Sequence, residues 1–265
     1  SLAMPDHVVD LETLRTPYAY TPDGARRWGP DAEWPDPWVM AGALSSVTTR
    51  LRFVTTVYVP ALRSPFQVAK SVGTAAVISG NRVALGVGIG WCEEEFELLD
   101  QSFRTRGRRT DESLALVKEL WEPGWREFHG EFYDAPRLVM EPTPTAPVPI
   151  YIGGLSEIAF ARAARHDGWI GDMYPTDVAI GWAQRLAEVR AASAESAGEF
   201  SVFVALTDAF LPEHFARAEA GGVTDCMTMP WRYYSGPEAT LEEKLSGLER
   251  FAADVMTPLG GDCGQ

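Results

Sequence analysis

Short, almost wholly apolar runs alternate along the chain with longer stretches of helical hydrophobic period. The runs at Leu2–Met4, Leu51–Tyr58, Val83–Ile89, Val148–Ile152, Gly168–Asp172, Ser201–Leu206 and Val223–Met229 predict strands. They lack polar alternation, which predicts burial on both faces. Asp36-Pro37 predicts a helix over Trp38–Val47, with an aspartate cap and a proline at the first helical position. Ser64-Pro65 repeats that pattern, and Gln67 predicts a capping box. Segments 111–121, 157–166, 176–194 and 212–220 predict further helices. The last helix sets Leu241, Leu245, Leu248, Phe251, Ala252 and Val255 on one face, the face expected to be buried.

Alternation of this kind predicts a parallel sheet covered by helices, an α/β fold. The strands are one short of a (β/α)8 TIM barrel. The chain opens at Ser1, directly on a strand and without an initiator Met. The first strand and helix are therefore expected to precede it. Residues 122–147, rich in aromatics and prolines, are expected to be an insertion into a single barrel domain spanning 1–265.

Composition narrows the function. At 265 residues the chain buries roughly 75% of its unfolded surface and needs no staples. A net charge of -14 argues against a nucleic-acid partner. No apolar run approaches the ~20 residues of a membrane span, and nothing at the start reads as a signal peptide. Cys92, Cys226 and Cys263 are too few and too scattered for a disulfide framework or a zinc site. The expectation is a cytoplasmic protein with a small-molecule substrate and no metal. Arginine outnumbers lysine, which is confined to Lys70, Lys118 and Lys244, as high-GC coding favours.

Candidate chemistry lies just after the strands, because barrel enzymes work at the C-terminal ends of their strands. Those positions are Asp6-His7, Thr56-Val57-Tyr58, Gly86–Trp91, Gly153–Ser156, Asp172 and Met229–Arg232. Gly86-Val87-Gly88-Ile89-Gly90 lacks the dinucleotide spacing, since Trp91 stands where a third glycine belongs. Those glycines fit close approach of a strand end to a flat ligand or to other backbone. Gly153-Gly154-Leu155-Ser156 opens a helix and has two readings. It is either an anion site or a plain turn with Ser156 as the N-cap. Among four histidines, His7 is the best-placed acid–base group. His129 falls in the insertion, His166 near a helix end and His214 on a surface helix.

An ordered set of segments resembles the bacterial luciferase-like family of flavin and deazaflavin barrels. The set runs through Pro5-Asp6-His7, Leu51-Arg52-Phe53, Thr56-Val57, Arg63-Ser64-Pro65 and Ser79–Arg82. It continues through Leu85–Trp91 with Glu94–Phe96, Phe103 to Arg108, Pro149-Ile150 to Gly154, Arg162–Arg165 and Asp167-Gly168-Trp169. The wording is most similar to the F420-dependent branch. The resemblance implies that Asp6 and His7 lie beside the deazaflavin and that Thr56-Val57 forms a non-prolyl cis peptide under the bent ring. It also implies that Gly88, Gly90 and Trp91 line the ring edge and that Gly153, Gly154, Leu155 and Ser156 hold the phosphate.

Two departures bear on substrate. Sugar-phosphate dehydrogenases of this branch carry Glu where this chain has Trp91, and Trp where it has Leu11. Trp91, Met229, Trp231, Arg232 and Tyr233 would instead wall a pocket for a medium-sized organic carbonyl or conjugated alkene. The expectation is an F420-dependent oxidoreductase with His7 moving the proton. An FMN-dependent monooxygenase is the alternative, and a non-catalytic flavin-binding barrel the third reading. Homodimerisation is the family habit.

Overall fold

The structure is a computed structural model and describes residues 1–29, 31–194 and 198–260. Cys263 lies outside the described residues. The chain divides into two compact units, Ser1–His166 and Asp167–Gln265.

The first unit is built on β1 (Leu2–Met4), β2 (Phe53–Thr55), β3 (Val83–Val87) and β6 (Ile150–Gly153). These pair in parallel in that order, with Leu2 beside Phe53, Phe53 beside Val83 and Leu85 beside Ile150. Every residue of β2 and β3 is buried, as their unbroken apolar character predicts. Parallel pairing sets all four C-terminal ends along one edge. Helices α1 (Pro37–Ser45), α2 (Pro65–Ser79), α3 (Glu93–Leu98), α4 (Arg106–Trp121) and α5 (Glu157–Ala163) connect them. Asp36 caps α1 as expected, accepting from the Trp38 and Val39 N–H groups.

Two local expectations change, and two features are new. Ser64 precedes α2 in an extended conformation but makes no side-chain cap, so the proposed capping box with Gln67 is absent; Pro65 starts the helix alone. The predicted strand Leu51–Tyr58 is confined to Phe53–Thr55 and is followed by a cis peptide between Thr56 and Val57. Pairing resumes only as a bridge between Tyr58 and Val87. The 122–147 insertion contains an antiparallel hairpin, β4 (Arg126–His129) with β5 (Asp134–Leu138). Its turn is anchored by Glu112 of α4, whose carboxylate accepts from the Glu131, Phe132 and Tyr133 N–H groups. Finally, the segment 5–36 carries no helix or strand among its described residues. Irregular stretches of that length inside compact units tend to cover functional sites.

The second unit holds β7 (Gly168–Tyr174), β8 (Ser201–Leu206) and β9 (Asp225–Met227), again parallel. Around them lie α6 (Thr176–Ala192), α7 (Pro212–Ala220), α8 (Trp231–Tyr234) and α9 (Leu241–Phe251). The leucine stripe predicted to be buried on α9 is not: Leu241, Leu245 and Leu248 are exposed, while Gly247, Phe251 and Val255 are buried. A Cβ on Gly247 would stand 2.5 Å from Cα of Trp231. Close contact between α8 and α9 requires a position without a side chain, and that requirement turns Gly247 inward.

Candidate active site

Directly after β1, Asp6 is buried and wholly engaged. Arg63 donates to it through both terminal nitrogens, at 2.8 and 2.7 Å, and the Val59 N–H donates at 3.1 Å. Arg63 also stacks 4.2 Å from the centre of the Tyr58 ring. Burial pushes the Asp6 carboxyl up, and the Arg63 fork and the Val59 N–H pull against it. Asp6 thereby ties the end of β1 to the segment that follows the cis Thr56–Val57 peptide.

His7 points the other way. Its Nδ1 lies 3.1 Å from Oε2 of Glu95, and its side chain is only 12% exposed against 3% for Glu95. The other carboxylate oxygen of Glu95 accepts from the Val8 N–H at 2.6 Å and the Val9 N–H at 3.3 Å. Three indoles surround the imidazole, with centroids 5.4 Å (Trp28), 4.8 Å (Trp34) and 5.9 Å (Trp91) away. Tyr18 packs edge-on against Trp28 and Trp91. Trp34 Nε1 is buried and has no hydrogen-bond partner.

The charged side chains of the covering segment pair around the margin of this cluster. Asp10 accepts from Arg26 at 2.5 Å and from the Trp28 indole at 3.0 Å. Arg15 reaches Glu97 at 2.5 Å. The Arg15 and Thr16 N–H groups both donate to Glu94. Burial pushes the Glu94 carboxyl up, but these backbone donors outweigh it and hold the group down at about 2.

The glycines that follow β3 meet close neighbours. A Cβ on Gly88 would sit 2.4 Å from the Val57 side chain, and one on Gly90 2.6 Å from Phe96. Gly90 adopts φ +83°, beyond easy reach of other residues. Phe96 is fully buried among Val59, Ala61 and Leu62. Among the described residues, the neighbours that a Cβ would meet first are the Val57 and Phe96 side chains of the same unit. Arg106 donates to the Gly90 carbonyl at 3.0 Å and holds the turn that carries Trp91.

After β6, Ser156 caps α5 by accepting from the Ala159 N–H at 3.1 Å. Gly153 ends β6, and Gly154, at φ +118°, and Leu155 lead from it to the cap. The structure thus gathers Asp6, His7, Thr56, Val57, Gly88, Gly90, Trp91 and Gly153–Ser156 on one unit, at the ends of four adjacent strands. Trp231 and Arg232 lie on α8 and Met229 just before it, in the second unit. Tyr233, expected to wall the pocket, packs with Phe210 and Phe251 of its own unit. Asp172 lies inside β7 and not after it, beside a register shift between Ile170 and Met173.

The other histidines behave as placed. His129 is exposed on the hairpin beside Asp134, which raises its pKa by hydrogen bonding. Burial, with Lys118 nearby, pushes His166 down to about 3, so it stays neutral near pH 7. Burial pushes the Cys92 thiol up to about 11, which removes thiolate chemistry there. Sequence reasoning included Arg63 and Glu95 in the family-like segments without giving them a role, and it missed Trp28 and Trp34. A signal for Glu95 existed: three successive glutamates stand ahead of the core residue Phe96, and Glu94 and Glu95 are both buried.

The family described as luciferase-like monooxygenase matches residues 5–222. The chain belongs to that family. A luciferase-like protein is thus an oxidoreductase built on the (β/α)8 barrel expected from the sequence. The chain is 39% identical over 263 residues to the uncharacterized protein Rv0940c of Mycobacterium tuberculosis, covering 97% of this chain and 89% of that one. It is 32% identical over 141 residues to the F420-dependent glucose-6-phosphate dehydrogenase of Amycolatopsis mediterranei, covering 51% of this chain and 42% of the relative. Two solved structures share the fold. Monooxygenase RslO1 of Streptomyces bottropensis has TM-score 0.56 and 18% identity, over 83% of this chain and 72% of its own. An F420-dependent secondary alcohol dehydrogenase, solved with an F420–acetone adduct, has TM-score 0.54 and 16% identity, over 75% and 79%. Among the described residues no helix is long and apolar enough to cross a membrane. No group of side chains there is able to hold a metal ion.

Proposed function

We propose that this protein is an F420-dependent oxidoreductase acting on an uncharged organic alcohol, carbonyl or conjugated alkene. The observation that carries the reading is His7, held by Glu95 at a strand end and walled by three indoles. The site fits such a ligand on one independent count. Trp34 Nε1 is a buried donor without an acceptor, which a ligand oxygen beside His7 would satisfy.

In this reading Thr56 and Val57 support the ring, Gly88, Gly90 and Trp91 border its edge, and Gly153–Ser156 hold the phosphate through backbone N–H groups. The deazaflavin supplies a two-electron hydride carrier when bound. His7 takes up or returns the proton that accompanies the hydride, at the ring nitrogen not facing Glu95. Asp6 acts at one remove, since Arg63 and Val59 occupy both its oxygens. Trp91 lies on the substrate side. The indoles of Trp28, Trp34 and Trp91 give His7 an apolar surround that suits an uncharged substrate.

Titrating F420 and FMN into the protein under identical conditions tests the cofactor. F420 is expected to bind at least about tenfold more tightly, a difference of about 1.4 kcal/mol. Tighter FMN binding would transfer the site to the monooxygenase reading.

A further inference from the structure

Glu95 is an expensive residue to bury. A carboxylate taken from water costs several kcal/mol unless hydrogen bonds compensate. The cap over the covering segment does not need it, because Glu94 accepts the Arg15 and Thr16 N–H groups. What Glu95 does hold is the chain around His7: Oε1 accepts from Val8 and Val9, and Oε2 faces His7 Nδ1.

These contacts determine where the imidazole proton resides. Oε1 accepts from two N–H donors and so carries no proton, and the carboxylate form of Glu95 has only acceptor capacity at Oε2. Oε2 therefore accepts from Nδ1–H, and in the neutral ring Nε2 is left as the acceptor. Free imidazole side chains have no such constraint. We propose that Glu95 is a positioning residue: it fixes His7 in the Nδ1–H tautomer and makes Nε2 the atom that exchanges the proton with a substrate oxygen. This rests on the reading of His7 as the proton-handling group. When a substrate alcohol becomes a carbonyl, its carbon-bound hydrogen would leave as hydride to the oxidised deazaflavin of that reading, and its hydroxyl proton would go to Nε2. The resulting imidazolium is stabilised by the Glu95 carboxylate. In the reverse direction Nε2–H returns that proton to the oxygen.

The arrangement makes a specific prediction about the amide. In Glu95→Gln, one end of the side chain must still accept from the Val8 and Val9 N–H groups. The amide oxygen takes that place, because two N–H groups facing the amide nitrogen would oppose donor to donor. The amide N–H then faces Nδ1, turns it into an acceptor and moves the ring proton to Nε2. Replacing an orienting carboxylate by its amide has this effect in hydrolase triads, where geometry survives and the tautomer is wrong.

The test is long-range ¹⁵N–¹H NMR on protein labelled at histidine, at pH 8.5, with the His7 signals assigned by their loss in His7→Gln. The wild type is expected to show Nδ1–H and the Gln variant Nε2–H, with Glu95→Asp keeping the wild-type pattern. Nε2–H in the wild type, or an unchanged tautomer in the Gln variant, overturns the proposal. The wild-type spectrum and the Asp variant decide the matter even where the Gln variant does not fold. F420 titration of the same samples separates the two claims. The expected tautomers without F420 binding would uphold Glu95 as the group that orients His7 and overturn the cofactor reading.

Discussion

Replacing Asp6 by alanine should destabilise the protein, because the change strands Arg63. Three donors converge on the Asp6 carboxylate, two of them on one guanidinium at 2.7 and 2.8 Å. Removing one partner of a buried pair costs about 3–5 kcal/mol, chiefly through the charge left behind. The Arg63 side chain keeps 17% exposure and stacks on Tyr58, so partial hydration and the ring soften the loss. The lower end, about 3 kcal/mol, is therefore expected. At roughly 2–4 °C per kcal/mol for a chain of this size, that is a fall of about 6–12 °C in Tm. Thermal melts followed by circular dichroism read the shift, with urea unfolding as a check. The double variant Asp6→Leu with Arg63→Met should recover most of the loss, because no unpaired charge remains. A loss below about 1 kcal/mol in Asp6→Ala, or a double variant no better than the single one, would refute the reasoning.

Glu94 provides a pH signature. Its carboxyl titrates at about 2 in the folded chain, below the ordinary carboxylate range. Its stabilisation is therefore complete above that range and fades as pH falls towards 2. The Tm difference between wild type and Glu94→Gln should be present at pH 7 and vanish near pH 2; a difference independent of pH would contradict this. Gly90→Ala combines φ +83° with a Cβ 2.6 Å from the fully buried Phe96, so a loss of about 2–5 kcal/mol is expected in urea unfolding. An unchanged midpoint would mean that the Phe96 cluster gives way freely.

The parallel strands were legible because apolar runs buried on both faces have few other interpretations. Leu2–Met4 and Ser201–Leu206 fall where their composition puts them. The break at Thr56–Val57 is invisible to hydrophobic pattern, since a cis peptide changes direction without changing polarity. It entered through family resemblance. The leucine stripe of α9 misled for a different reason. Periodicity identifies an apolar face, but the approach of Trp231 to Gly247 decides which face turns inward. The acid–base residue was legible as a histidine after a strand. Its surroundings were not, because Glu95 is 88 positions away and the indoles of Trp28 and Trp34 come from a segment without periodicity. Only tertiary structure brings those groups together.

Hydride transfer itself tests the central claim most directly. Oxidised F420 would be mixed anaerobically with uncharged secondary alcohols deuterated at the carbinol carbon, and reduced F420 with the matching ketones and enones. Loss or recovery of deazaflavin absorbance would be followed in wild type and His7→Ala. The account predicts deuterium transfer to the deazaflavin without oxygen, and a fall in kcat of roughly 10²–10⁴-fold in His7→Ala. Oxygen consumption with reduced FMN, and no hydride transfer to or from F420 with any of these compounds, would contradict it.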